Sequence, residues 1–104
     1  MGIIIILVTV PNVETGRTIA LKLVEEKLAA CVNLVPAIES IYSWEQKIQQ
    51  EPESLMVIKS QSELISRLER RVHELHPYTT PEFVVLESSF VSEKYSRWLI
   101  GCLQ

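Results

Sequence analysis

Ten consecutive residues, 73–82, bring together His73, Glu74, His76, Tyr78 and Glu82 between and beside two prolines. His73 and His76 stand three apart, a spacing that puts both on one side of a helix end. The zinc-protease motif needs histidines four apart with a glutamate after the first, so the second histidine here comes one residue early. A histidine in a last helical turn also satisfies free carbonyls and offsets the helix dipole, and that is the reading for His73. His76 precedes Pro77, which turns its backbone out of the helix and aims the ring toward a sheet. Cys31 opens a long strand. It fits a buried apolar thiol, a soft metal ligand paired with His76 for copper or zinc, or a thiol nucleophile with a histidine base. Two or three ligands from one chain do not close a structural zinc site, which takes four. A metal would therefore occupy an open position or lie between subunits.

Further candidates are less specific. Lys59 stands at a strand end beside a helix start, where a small anion is favoured. Tyr42 and Trp44 share one parity of a strand long enough to overhang a small sheet, so they are placed to bury against a neighbouring chain. The only glycines are Gly2, Gly16 and Gly101, which excludes a glycine-rich phosphate loop. No serine-centred nucleophile elbow is present.

The elements that must position these residues belong to one domain, 1–104. Apolar residues make up 47% and charged ones 22%, a composition that folds around a core. Ten basic residues against 13 acidic ones give a net charge of −3 and no basic footprint for nucleic acid or an acidic membrane surface. Two cysteines are too few for a disulfide scaffold. The apolar run 3–8 lacks a basic flank, a long enough core and a small-residue cleavage site. It is also too short to span a bilayer. The expectation is a soluble cytoplasmic protein.

That run, extended to Val10 and stopped by Pro11, predicts a central strand. Asn12 caps a following helix with Glu14 in its first turn. Ile19, Ala20, Leu23, Val24 and Leu28 keep helical spacing and predict a helix over 13–28, with Gly16 costing up to about 1 kcal/mol inside it. Over 30–48 the period becomes two, the mark of an unusually long half-buried strand or hairpin. Pro36 demands an edge or a bulge. Residues 53–60 return as a strand. Ser60 and Glu63 have capping-box spacing before a helix that ends at Pro77. Residues 83–86 form a last strand, and Ser92 caps a third helix carrying Tyr95, Trp98, Leu99 and Cys102.

The order β-α-β-β-α-β plus a terminal helix is the α+β, ferredoxin-like layout, with an antiparallel sheet and both main helices on one face. A water-facing second face would alternate with polar residues. Residues 3–8 and 83–86 are apolar in both parities. A short third helix covers only part of such a face. Self-association accounts for the remainder, since at ~25 cal/mol per Å2 a few hundred Å2 contributes several kcal/mol.

Three strings carry a resemblance. They are Glu26-Lys27-Leu28-Ala29-Ala30-Cys31-Val32-Asn33, Ser40-Ile41-Tyr42-Ser43-Trp44-Glu45 and His76-Pro77-Tyr78-Thr79-Thr80-Pro81-Glu82. With Val8-Thr9-Val10-Pro11-Asn12 and the Tyr95/Trp98 pair, the chain closely resembles the CutA family of divalent-cation-tolerance proteins over essentially its whole length. The family reads Trp-Glu-Gly-Lys where this chain has Trp44-Glu45-Gln46-Lys47, which puts strain at a hairpin tip and not at the site. The resemblance implies a homotrimer similar in architecture to PII-type signalling proteins, and a role in metal tolerance with copper, Cu(2+), the usual metal. It implies that Cys31 and His76 lie near a metal or ligand site, with Tyr78 and Glu82 in the same loop and Lys59 near the cleft.

Two functions from different classes fit. One is a trimeric binding protein for divalent metal in homeostasis. The other is a PII-like small-molecule sensor or signalling scaffold with ligand clefts between subunits, a small-molecule anion as its candidate partner, and no functional metal. No organic cofactor is evident. An enzyme is the weaker expectation, because no second catalytic partner follows Cys31 and His76 at a telling spacing.

Overall fold

The computed structural model describes residues 2–104. Strand β1 (Ile3–Val10) is followed by helix α1 (Val13–Glu25), and strands β2 (Cys31–Trp44) and β3 (Lys47–Gln61) form a long hairpin. A 3-10 turn over Ser62–Leu64 leads into α2 (Ile65–Leu75), then come β4 (Val84–Glu87) and α3 (Glu93–Cys102). The sheet has the order β2-β3-β1-β4 with every pairing antiparallel. This is the expected ferredoxin-like α+β arrangement with one added helix.

The core lies between the helices and one sheet face. Ile4, Ile6, Val8 and Val10 of β1 and Met56 and Ile58 of β3 pack on Ile19, Leu23, Leu68 and Val72. Asn12 caps α1 as expected: its Oδ1 accepts from the Thr15 backbone N–H at 2.9 Å and from the Thr15 hydroxyl at 3.0 Å. The helix stops three residues earlier than its apolar spacing suggests. Lys27 takes φ 60°, and the backbone N–H groups of Leu28 and Ala29 close onto the Leu23 carbonyl. Leu28 still reaches the core, but from a turn. Gly16 has a packing reason. A Cβ there would lie 3.2 Å from Val10 Cγ2 and 3.3 Å from Leu34 Cδ2, so the missing side chain lets the helix approach the sheet.

Two caps differ from expectation. Ser60 is still strand, paired with Ile4, and its hydroxyl donates to the Leu28 carbonyl at 2.6 Å in the buried core. The Ser60/Glu63 capping box therefore does not form. Ser92 occupies the N-cap position of α3 without a side-chain hydrogen bond to the helix.

Pro36 satisfies both of its options. β2 is an edge strand, and its register with β3 shifts between Val35 and Ile38. The Pro36 carbonyl, freed from the ladder, accepts from the Ser54 hydroxyl at 2.7 Å. Beyond this bulge the hairpin outruns the sheet, because β1 pairs with β3 only from Ser54 to Gln61. The stretch 30–48 is thus one arm plus a turn, and the return begins at Lys47. Glu45 and Gln46 make the two-residue turn with φ 51° and 68°. Paired positive φ values suit glycine or asparagine, so Gln46 carries the strain that its replacement of glycine implies.

On the second sheet face α3 covers one end, where Leu99 closes over Ile3 and Ala30, with Cys102 packed alongside. Val84 and Leu86 of β4 remain 46% and 47% exposed, and Val35 remains exposed on the far edge. The uncovered apolar face expected from the two unalternating strands is present.

Candidate functional site

The cleft forms where β1 ends. The overhanging hairpin, Thr9, Pro11 and the segment 77–82 border a half-open cleft of about 930 Å3. Register sets its floor: Glu53 lies opposite Ile38 and Glu51 opposite Ser40, while Tyr42 and Trp44 follow at two-residue steps. Side chains alternate along a strand, so these residues share one face of the hairpin. Glu51, Glu53 and Glu82 line the cleft, and no lysine, arginine or histidine does among the described residues. Tyr42, Trp44 and Tyr78 supply aromatic walls.

Each of two glutamates is held by a tyrosine. The Tyr42 hydroxyl donates to Glu51 Oε1. The Tyr78 hydroxyl donates to Glu53 Oε2 at 2.7 Å. The bond to Glu51 holds the Tyr42 proton above the usual phenol range. Burial first, and the Glu53 bond second, do the same for Tyr78. Burial and then the charge of Glu53 raise the carboxyl of Glu82 above the usual glutamate range. The cleft is therefore an acidic pocket with aromatic sides.

His76 positions this arrangement. Its Nδ1 accepts the Tyr78 backbone N–H at 3.1 Å, which leaves the proton on Nε2 to donate to the Thr9 carbonyl at 2.8 Å. The ring lies 4.7 Å from that of Tyr78. Together these contacts tie the segment after α2 to the end of β1 and aim Tyr78 at Glu53.

Comparison with known proteins agrees with the fold. The profile of the CutA1 divalent ion tolerance protein family matches residues 4–101. The chain belongs to that family. The divalent-cation tolerance protein CutA of Thermus thermophilus is 45% identical over 95 residues, covering 91% of this chain and 92% of that one. The chloroplastic CutA protein of Arabidopsis thaliana is 47% identical over 96 residues, covering 92% of this chain and 53% of that one. The chain thus spans about half the length of the plant relative. The crystal structure of CutA1 from Oryza sativa superposes with a TM-score of 0.96 at 41% identity, covering 100% of this chain and 95% of that chain.

Within this CutA1-family chain the expected site residues fall into two groups. Tyr78 and Glu82 share the cleft, and Tyr42 and Trp44 line it as well. Cys31 and Lys59 do not reach it. They face each other across β2 and β3, whereas Thr9, which His76 touches, pairs with Leu55. The offset is four residues of β3, about 13 Å along the strand. Cys31 and His76 therefore cannot share a metal within one chain. Both His76 ring nitrogens are hydrogen-bonded within the chain, to the Thr9 carbonyl and the Tyr78 backbone N–H. Lys59 instead lies over the Tyr95 ring, 5.9 Å from its centroid, so it leaves the cleft without the cation that an anionic ligand would need. His73 bonds through Nδ1 to the Glu69 carbonyl at 2.8 Å, one turn back within α2 and not at a free last-turn carbonyl.

Sequence reasoning missed Glu51 and Glu53. Their signal was present: they follow the parity of Tyr42 and Trp44 once the turn is placed at Glu45–Gln46. Without a glycine there, only the family resemblance marked the reversal, and the parity was not carried past it.

Among the described residues no group of three or more histidine, cysteine, aspartate or glutamate side chains converges on a metal position. No helix of the described residues is long and apolar enough to cross a membrane.

Proposed function

We propose that this chain works in the cytoplasm as a homotrimer that binds divalent metal, copper first, in the response to metal ions. It acts as a binding protein and not as an enzyme. The observation that carries the metal reading is the charge of the cleft: three carboxylates line it and, among the described residues, no basic side chain answers them. In a partly desolvated cleft such charges act through a lower effective dielectric than in water and concentrate cations. The names of the family and of the Thermus thermophilus relative, divalent-cation tolerance protein, support the same reading. Since the acids of one chain do not converge, further donors come from neighbouring copies. Cys31, half-buried on the open sheet, is the soft donor that would favour copper.

The trimer rests on the open apolar face, which Val84 and Leu86 leave uncovered in the monomer. Tyr42 and Trp44, on the overhanging hairpin, are the aromatics placed to meet a neighbour. The cleft within one chain does not favour an anion, because Lys59 lies outside it.

Calorimetric titration with copper(II) tests the metal reading on wild type, Glu82→Gln and Cys31→Ser. Saturable uptake weakened about tenfold by either substitution is expected. Equal, weak uptake by all three proteins rejects it. Sedimentation at dilute concentration tests the trimer: three chains are expected, and a single-chain mass rejects it.

A further inference from the structure

The open sheet face carries opposite charges at its two ends. Side chains alternate along β3, and Met56, Ile58 and Ser60 are buried under the helices. The other parity, with Glu51, Glu53, Leu55, Val57 and Lys59, therefore lies on the open side. Register extends this order across the sheet. Lys59 pairs with Ile5 and Ile5 with Leu86, while Val57 pairs with Leu7 and Leu7 with Val84. The face thus runs from a basic end along an apolar middle to the acidic cleft beside Thr9.

Neither charge is answered within the chain. The cleft holds three carboxylates and, among the described residues, no basic side chain. Lys59 is half-buried and, among the described residues, makes no ion pair. Its ammonium lies over the Tyr95 ring instead. Glu53 and Lys59 stand six residues apart on one extended strand, about 20 Å, so the two ends cannot meet within one copy. Exposed aromatic rings flank both ends, Tyr42 and Trp44 beside the acids and Tyr95 and Trp98 beside Lys59. Rings of this kind exclude water from an ion pair and strengthen it.

We infer that the basic end of a second copy of this chain docks at the acidic cleft, so that Lys59 of one copy meets Glu82 of the next. Each copy offers its acidic end to one neighbour and its basic end to another. Head-to-tail contacts of this kind close into rings. The apolar middle, with Leu55, Val57 and Leu86, is covered between them. Cys31 stands opposite Lys59 in register, so it arrives with the lysine and brings a thiol toward the acids. The inference rests on the self-association of the proposed function and adds to it the register in which copies meet.

Zero-length carbodiimide cross-linking of the assembled wild-type protein tests the contact, because the reagent joins an amine to a carboxylate only where the two touch. A covalent two-chain band on a denaturing gel is expected, with Lys59 joined to Glu82 in its peptides. Charge reversal gives a second readout, by sedimentation at dilution. Lys59→Glu and Glu82→Lys should each weaken association about tenfold or more, and the double variant should recover most of that loss. Cross-links between other residue pairs only, or a double variant no better than either single one, overturn the inference while a three-chain mass keeps the trimer. A two-chain mass that retains the Lys59–Glu82 link supports the inference and rejects the trimer. A single-chain mass at every concentration overturns both.

Discussion

On the helix side of the sheet Ile6, Val8, Met56 and Ile58 have no exposed surface, while on the other side Val84 and Leu86 keep nearly half of theirs. The same strands supply both faces with the same residue types. The difference lies in what crosses them: α1 and α2 span one face, and α3 closes only the Ile3 end of the other. The closed face therefore behaves as an ordinary core. The open face holds back hydrophobic free energy for another surface, and the acidic cleft lies at its Thr9 end.

The largest expected effect separates the two faces. Ile58→Ala should cost about 2–5 kcal/mol in urea denaturation at fixed protein concentration, since it leaves a cavity under the helices. Leu86→Lys should leave the helix-side core intact and lower the sedimenting mass at dilution. If both substitutions gave the same loss of stability and no change of mass, the two faces would not differ as described. A smaller effect concerns the overhang. Gln46→Gly should raise stability by about 1 kcal/mol, because an L-residue in the left-handed region is strained and glycine is not. Matching denaturation curves for the two proteins would show that the hairpin tip stores no strain.

The smallest effect is a pH dependence at the cleft. The folded protein holds the Glu82 proton above the ordinary glutamate range, through burial first and the Glu53 charge second. The sign follows from linkage. The penalty for ionising Glu82 is fully present above its raised folded value. It fades as pH falls through that value toward the unfolded value near 4.5 and is absent below both. Glu82→Gln should therefore flatten this part of the stability profile. Cation affinity in wild type should begin to weaken at a pH above the ordinary glutamate range, a step that the variant lacks. An unaltered profile in Glu82→Gln would show that another group sets it.

Much of this architecture was legible beforehand, for identifiable reasons. The apolar parities of β1 and the 3.6-residue spacing of α1 and α2 are local patterns, and so is Asn12, three residues before the Thr15 N–H it caps. The Ser60 misreading arose because a capping box and a strand serine look alike until the strand's partner is known. Here the Leu28 carbonyl, 32 residues away, claims the hydroxyl. The site was harder to read for the same reason.

By itself the sequence determined that helices would cover one side of a sheet apolar on both, because periodicity and residue type act between near neighbours. Only the tertiary structure decided that Tyr78 meets Glu53 across 25 residues and that Cys31 and Lys59 stand apart from them. Strand register and the fastening of His76 to Thr9 make that choice, and both depend on contacts between distant parts of the chain.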